Sequence, residues 1–403
     1  MRYVLPCRFV LTLIVLLKFA PQVSAQTIPA KGTEATLDVA TWNIEWFGHA
    51  SNGPSDDAGQ IANVQAIIEQ AEIDLWGVQE IADPQDFAAL LDALGDGYDG
   101  VLATQSGTLR IGFIYKTDVF SNIVFQHILT TASFAFAGRL PLQMAADVTF
   151  GNTTRRLTFI VLHMKAFSDQ ASYNRRVDAA QRLKEHIENT QLDQEPVIIL
   201  GDFNDELTQS IHAGQPSPYD DFLQDTNNYF FPSLRLEEAG LGTFCGNNTA
   251  CSTASTIDHI LVTDELVSFY ETDSADRFDE LLQAIPSYVF STSDHLPVFA
   301  RFFGISTAVE AGDAPEAVAV QPAYPNPFFQ STTLTYTLPR AAEVRVEVFD
   351  VLGRRVQILA DGFRNAGAHR MTFEAGDLPS GLYLIRFSAG GVIDVQRVVR
   401  VRR

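Results

Sequence analysis

Val197-Ile198-Ile199-Leu200-Gly201-Asp202-Phe203-Asn204 is an apolar run that ends on a glycine, an acid and an amide. A short run of this kind between turn formers reads as a buried strand. The same ending recurs along the chain. Leu37–Ile44 closes on Trp42-Asn43-Ile44-Glu45, Leu75–Gln79 on Glu80, and Arg156–Leu162 on His163. Ile257-Asp258-His259 opens the strand-like stretch Ile257–Val262, and Ser293-Asp294-His295 precedes Pro297–Phe302. Taken singly these are weak signals, because acids at strand ends are commonly just solvated. In series they gather carboxylates, amides and histidines at strand ends, where they could line one basin. Hard divalent cations such as Mg²⁺ take carboxylate and amide oxygens. Histidines beside such a cation supply proton transfer near neutral pH.

Helical patterns alternate with these strands. Gln60–Ala71 places Ile61, Val64, Ile68 and Ala71 on one face, Asp83-Pro84 caps a second helix, and an Arg- and Gln-rich helix runs roughly over Ser172–Ile187. With a further strand at Ile111–Lys116, the mixture predicts an α/β fold of two packed sheets flanked by helices. Residues 304–322 have no clear period and read as a linker. Beyond it, Thr332–Thr337, Glu343–Asp350, His369–Phe373, Gly381–Ser388 and Val392–Val401 read as strands of an all-β module with Gly turns.

The 403-residue chain is 46% hydrophobic and 19% charged, which excludes a disordered or collagen-like polymer. Its charge is uneven. Residues 26–320 hold 14 basic and 42 acidic residues, a net −28, whereas 321–403 hold 11 and 7, a net +4. That asymmetry argues for modules. Five lysines against 23 arginines, with the acid excess, fit either a saline medium or a GC-rich genome. Residues 1–25 carry a basic start, an apolar stretch from Phe9 to Leu17 and Val23-Ser24-Ala25, the pattern of a cleaved signal peptide. The apolar stretch is short for a membrane span and Lys18 interrupts it. No stable membrane insertion is expected. Export puts Cys245 and Cys251, on one polar loop, in an oxidising compartment where two thiols are expected to pair.

The ordered series Thr41-Trp42-Asn43-Ile44-Glu45, Val78-Gln79-Glu80, Val161-Leu162-His163, Gly201-Asp202-Phe203-Asn204, Ile257-Asp258-His259 and Ser293-Asp294-His295 resembles the endonuclease/exonuclease/phosphatase superfamily over about residues 33–303. The resemblance implies the DNase I-like four-layer α/β/β/α sandwich. It implies Glu80 as the main ligand of Mg²⁺ (or Mn²⁺/Ca²⁺), with Glu45 and Asp294 beside it and Asn43 positioning solvent or phosphate. Asp202 and Asn204 would orient the attacking water and the phosphate. His295, held in its tautomer by Asp258, would contact the scissile phosphate, and His163 would occupy the acid/base position. One departure stands out. Where pancreatic-type members place a Glu to orient that first histidine, this chain has Leu109, followed by Arg110, a candidate substrate contact. His259 reads as structural.

The implied function is a secreted, metal-dependent phosphodiesterase, foremost a nuclease acting on DNA or RNA. Alternatives are a sphingomyelinase-like or other phosphoesterase, or a surface binding protein without catalysis. Asp205-Glu206 would repel a highly phosphorylated small ligand. Arg155, Arg156, Lys165, Arg175, Arg176, Arg182 and Lys184 are half of the basic residues of 26–320 and lie within 30 positions around His163, which favours a nucleic-acid partner. Tyr229-Phe230-Phe231-Pro232 reads as a buried aromatic cluster rather than a membrane loop. Residues 323–403, from Ala323-Tyr324-Pro325-Asn326-Pro327-Phe328 through Leu378-Pro379-Ser380-Gly381-Leu382-Tyr383, are similar to the C-terminal sorting domain of type IX secretion substrates. That similarity implies passage by the type IX machinery, then release or surface attachment.

Overall fold

The computed structural model describes residues 27–104, 109–150, 153–252, 255–303, 318–323, 326–338, 342–364, 367–376 and 378–401. The expected signal peptide and positions 304–317 of the expected linker lie outside them.

Two six-stranded sheets form the larger unit. The first has the order β11 (Asp276–Arg277), β12 (Val298–Phe303), β1 (Thr36–Phe47), β2 (Leu75–Ile81), β4 (Arg110–Lys116), β3 (Tyr98–Leu102). The second has the order β5 (Phe120–His127), β6 (Leu142–Phe150), β7 (Thr153–His163), β8 (Val197–Asp202), β10 (Asp258–Thr263), β9 (Tyr229–Phe230). Only β1–β2 and β7–β8 pair in parallel. Helices α1 (Asp57–Ala71) and α2 (Pro84–Leu94) accompany the first sheet, and α3 (Gln170–Asn189) the second.

The alternation of side chains along each strand explains why apolar residues occur on both faces of the central strands. In β1, Leu37 and Val39 enter the core between the sheets, while Ala40, Trp42 and Ile44 face the core that includes Val64, Ile68 and Leu90 of α1 and α2. In β8, Ile198 and Leu200 face the central core, whereas Val197 and Ile199 pack with Ala179, Leu183 and Ile187 of α3. A strand buried on both faces needs no polar alternation. Three cores between four layers make the α/β/β/α sandwich. The sheets approach closely at Gly77, where a Cβ would lie 2.9 Å from the Cβ of Leu200.

Helix starts follow their caps. Asp83 accepts from Gln85 N ahead of Pro84, and Asp169 accepts from Ala171 N and Ser172 N, which starts α3 two residues before the periodic run. Tyr229 and Phe231 are buried, as expected of the aromatic cluster. Cys245 and Cys251 form a buried disulfide with Cα atoms 4.5 Å apart.

The C-terminal unit is all-β. One sheet contains β13 (Ala319–Val320), β14 (Ser331–Leu338) and β17 (Gly367–Glu374); the other runs β16 (Arg355–Arg364), β15 (Ala342–Asp350), β18 (Gly381–Ala389), β19 (Val392–Arg400). Phe328, Tyr336, Phe373, Tyr383 and Phe387 fill its core. Gly353, with φ 75°, turns β15 back into β16, a strand the sequence reading passed over.

At the start of β1, Asp38 is buried, accepts from Thr33 N at 2.7 Å, and lies 3.7 Å from Arg301. Burial, aided by the charge of Asp74, raises its pKa to about 7. The folded state therefore holds this proton more tightly than the unfolded chain, whose carboxyl titrates near 4. Its contribution to stability is present at low pH and is lost as pH rises through about 7. Asp38→Asn should raise stability at about pH 8 by on the order of 1–3 kcal/mol, and Tm with it, and change both little at about pH 4. Thermal melts of both proteins at the two pH values check this. An equal shift at both would place the effect elsewhere than in the proton.

Candidate active site

The register of the second sheet sets three polar residues side by side. His163 pairs with Asp202 across β7–β8, and Asp258 pairs with Asp202 across β10–β8. From the facing sheet, Asn43 Nδ2 donates to Asp202 Oδ2 at 3.0 Å, while Asn204 N donates to Asp202 Oδ1 at 2.8 Å. His163 Nε2 lies 3.4 Å from Asp202 Oδ2 and 3.8 Å from Glu80 Oε1. His295 Nδ1 and Thr243 Oγ1 both reach Asp258 Oδ2, at 2.8 and 2.6 Å. Glu45 Oε2 accepts from Asp294 N at 3.0 Å, and Glu80 Oε2 from Trp46 N at 3.2 Å. Asn43, Glu45, Glu80, His163, Asp202, Asn204, Asp258, Asp294 and His295 thus form one connected group. Arg110 stands apart from it, donating to the Ala82 carbonyl at 3.2 Å.

The strand ends are bent to achieve this. Glu45, Trp46, Glu80 and Asn204 have φ values of 38°, 49°, 62° and 54°, the left-handed region that side chains with a Cβ rarely enter. The β1–β2 register shifts between Asn43 and Phe47. Such irregularities re-aim side chains, and they persist only where neighbours hold them. Here the holding bonds run from Glu45 N to Asn43 Oδ1 (3.0 Å) and from Trp46 N to Glu80.

The two histidines are driven in opposite directions. Burial, then the charge of Arg139, holds His163 well below the usual histidine range, so it is neutral at pH 7. Burial also opposes charge on His295. The Asp258 carboxylate and its hydrogen bond, with Asp294 and Asp202, outweigh that and keep His295 well above the usual range. Among the acids, burial and then Asp294 push Glu45 to about 7, and burial and then Asp258 push Asp202 upward.

Comparison with known proteins fits this arrangement. The model for the Endonuclease/Exonuclease/phosphatase family matches residues 40–295. The chain belongs to that family. Its members hydrolyse phosphoester bonds and typically depend on a divalent metal. Residues 322–401 match the Secretion system C-terminal sorting domain, which implies export by a type IX system. No curated protein matches. Similar solved structures include an endonuclease/exonuclease/phosphatase family protein from Bacteroides thetaiotaomicron, 20% identical over 66% of this chain and 97% of that one, TM-score 0.45. A mannosyl-6-phosphatase from the same species is 20% identical over 66% and 100%, TM-score 0.47. The human Nocturnin catalytic domain with bound sulfate is 18% identical over 66% and 93%, TM-score 0.48. No helix among the described residues is long and apolar enough to cross a membrane.

Two groups of this family member could hold a cation. Ligand atoms of Asp202, Asp258 and His295 lie within 4.8 Å of one another. Asp258 Oδ2 and His295 Nδ1 are already hydrogen-bonded to each other, which leaves Asp258 Oδ1 and His295 Nε2 as their free ligand atoms. Glu45, Glu80 and Asp294 form a second group of acids, close enough that their charges act on one another. No Lys or Arg lies within 4.0 Å of them among the described residues, and Glu45 is pushed up partly by the charges of Asp294 and Glu80. Crowded carboxylates without a protein counter-charge suit a hard divalent cation.

Several contributors escaped the sequence reading. Thr243 holds Asp258. Ser293 Oγ bridges the Asn43 carbonyl (2.7 Å) and His295 N (3.0 Å). Arg139 donates to the His163 and Met164 carbonyls at 3.2 and 2.5 Å, and its charge bears on Asp202 and Glu80. Ser293 adjoins the quoted Asp294, but nothing local marks Thr243 or Arg139. The acid missing at position 109 is answered in part: the carboxylate nearest His163 is Asp202, on its Nε2 side, while Nδ1 has no hydrogen-bond partner among the described residues.

The basic cluster read from sequence divides in the structure. Arg176 is consumed in a buried pair with Asp205 at 2.8 Å, Arg182 pairs with Asp178, and Lys184 pairs with Glu188 and Asp225. Arg155 and Arg156 open β7, about 25 Å along the strand from His163. Lys165 and Arg175 remain on the site side. The seven residues do not share one surface, because sequence proximity along a strand and a helix does not bring side chains together.

Proposed function

We propose that this protein is a secreted, divalent-cation-dependent phosphodiesterase whose substrate is nucleic acid. The supporting observation is the joining of a cation-ready acid set, a buried carboxylate and a charged histidine in one group at the ends of both sheets. Glu45, Glu80 and Asp294, with Asn43 nearby, would hold Mg²⁺ (or Mn²⁺/Ca²⁺), which when bound offsets the charge of the phosphate. Asp202, fixed by Asn43 and Asn204, accepts a proton from the attacking water. The water oxygen bonds to phosphorus and the opposite P–O ester bond breaks in line. His295, kept protonated by Asp258, donates to a phosphoryl oxygen as its charge grows. His163, neutral, offers a hydrogen bond rather than a charge. Arg110 would contact the substrate beyond the scissile ester. We further infer a cleaved signal peptide over residues 1–25, a catalytic unit over 33–303, a linker over 304–322 and a sorting module over 323–403.

The test is a substrate panel in Mg²⁺ with and without chelator: plasmid DNA, single-stranded DNA, RNA, sphingomyelin and a phosphomonoester. Cleavage of a polynucleotide that chelator abolishes is expected. Intact polynucleotide beside cleaved lipid or monoester would replace this reading with one of the alternatives. Inertness toward all five would favour a binding protein.

A further inference from the structure

Two phenylalanines on loops that flank the site are exposed. Phe134 is 74% and Phe167 70% exposed. Arg175 lies 4.3 Å from the Phe134 ring centroid and donates through Nε to the Phe134 carbonyl at 2.9 Å. Lys165 Nζ lies 4.2 Å from the Phe167 centroid. Phe167 has φ 80°, an unfavourable backbone for a bulky residue. It is held there by the buried Arg176, whose Nη1 donates to the Lys165 and Phe167 carbonyls at 2.7 and 2.8 Å. Consecutive arginines of α3 thus anchor both loops, and Lys165 follows His163 by two positions.

The charges around these rings are also unusual. Most basic residues of this acid-rich unit pair with a carboxylate. Among the described residues of 27–303, Arg110, Arg139, Arg155, Lys165 and Arg175 have none within 4.0 Å. Arg139, Lys165 and Arg175 are close enough to repel one another: burial, then Arg175 and Arg139, lowers the Lys165 pKa. Unneutralised cations beside exposed rings are the elements with which proteins grip single strands, the cations tracking phosphates and the rings stacking on bases. A bilayer is a poorer occupant, because seating either ring in lipid would desolvate the cation lying on it.

We propose that Phe134, Phe167, Lys165 and Arg175 form a strand-gripping rim that stacks unpaired bases and holds phosphates flanking the scissile one. This rests on the phosphodiesterase reading above and specifies its substrate as single-stranded or locally unpaired nucleic acid. The test uses the full chain in Mg²⁺, a labelled single-stranded oligonucleotide, and the variants Phe134→Ala/Phe167→Ala and Lys165→Gln/Arg175→Gln. For each double variant KM should rise about 10-fold or more with kcat nearly unchanged, through lost stacking in the first and lost phosphate contacts in the second. The cation variant should also flatten the salt dependence of KM. Binding to phosphatidylcholine vesicles should be absent in every form. Unchanged KM in both variants, with the wild type active, would overturn the rim. So would a fall in kcat without a rise in KM, which would make these residues supports of the fold. Vesicle binding lost on removing the rings would assign the surface to membrane. If the wild type cleaves no nucleic acid, the functional reading itself fails.

Discussion

Asp294→Asn should lower Mg²⁺-dependent hydrolysis by about 10³-fold or more, equivalent to roughly 4 kcal/mol of transition-state stabilisation, while its cation-free form melts above the wild type. The two effects have one origin. Asp294, Glu45 and Glu80 place three carboxylates together, and burial with the neighbouring negative charges opposes ionisation of Asp294 and Glu45. A neutral amide relieves that repulsion, and the loop should keep its place because Asp294 holds Glu45 through its backbone N–H. The same neutralisation removes an oxygen ligand of high charge, so cation affinity falls. Wild-type protein should gain Tm on adding Mg²⁺, as any ligand of the folded state alone requires, and the variant should gain much less. Turnover close to wild type, or a wild-type Tm insensitive to the cation, would refute the assignment of these acids.

Much of the fold was legible because both sheets are buried on two faces. Val197–Leu200 is a continuous apolar run, and Leu37–Ile44 is mostly apolar with Asp38, Thr41 and Asn43 buried in it, and such runs stand out. Strand β5 did not stand out, since Ser121, Asn122 and Val124 are exposed and its pattern mixes polar and apolar residues. Strands β3 and β6 were missed for a related reason: Asp99 is exposed in one, and Gln143 and Asp147 interrupt the other. In the site, the acids and histidines were legible because each terminates a strand. What sequence could not supply is the bonding among them. Asn43 was read as a neighbour of the metal, yet its amide nitrogen is spent on Asp202, 159 residues away. Thr243 and Arg139 act through single long-range bonds that leave no periodic trace. The charge cluster was only partly legible for the opposite reason, because abundance along the chain hid the acids that pair Arg156, Arg176, Arg182 and Lys184 in space.

The second large effect is expected at the Asp258–His295 pair, where activity and stability should separate. Asp258 is fully buried, and its Oδ2 accepts from both His295 and Thr243. Its Oδ1 has no partner among the described residues. The carboxylate is thus satisfied on one oxygen and depends on the imidazolium for charge balance. His295→Ala removes the donor to the phosphate and strands a buried negative charge. Turnover should fall about 10³–10⁴-fold, and stability by several kcal/mol, because breaking one side of a buried pair leaves the other uncompensated. Asp258→Ala should cost similar activity by a different route: without its carboxylate, His295 loses both orientation and the interaction that keeps it charged. In the double variant the losses should not add, as with residues that act as one unit. Stability should partly recover relative to His295→Ala, since no unpaired charge remains. The cycle is read by kcat/KM with a polynucleotide and by thermal melts. Multiplying activity losses would mean that Asp258 serves catalysis independently of His295. A double variant less stable than His295→Ala would mean that the carboxylate is held by Thr243 and its surroundings rather than by the histidine.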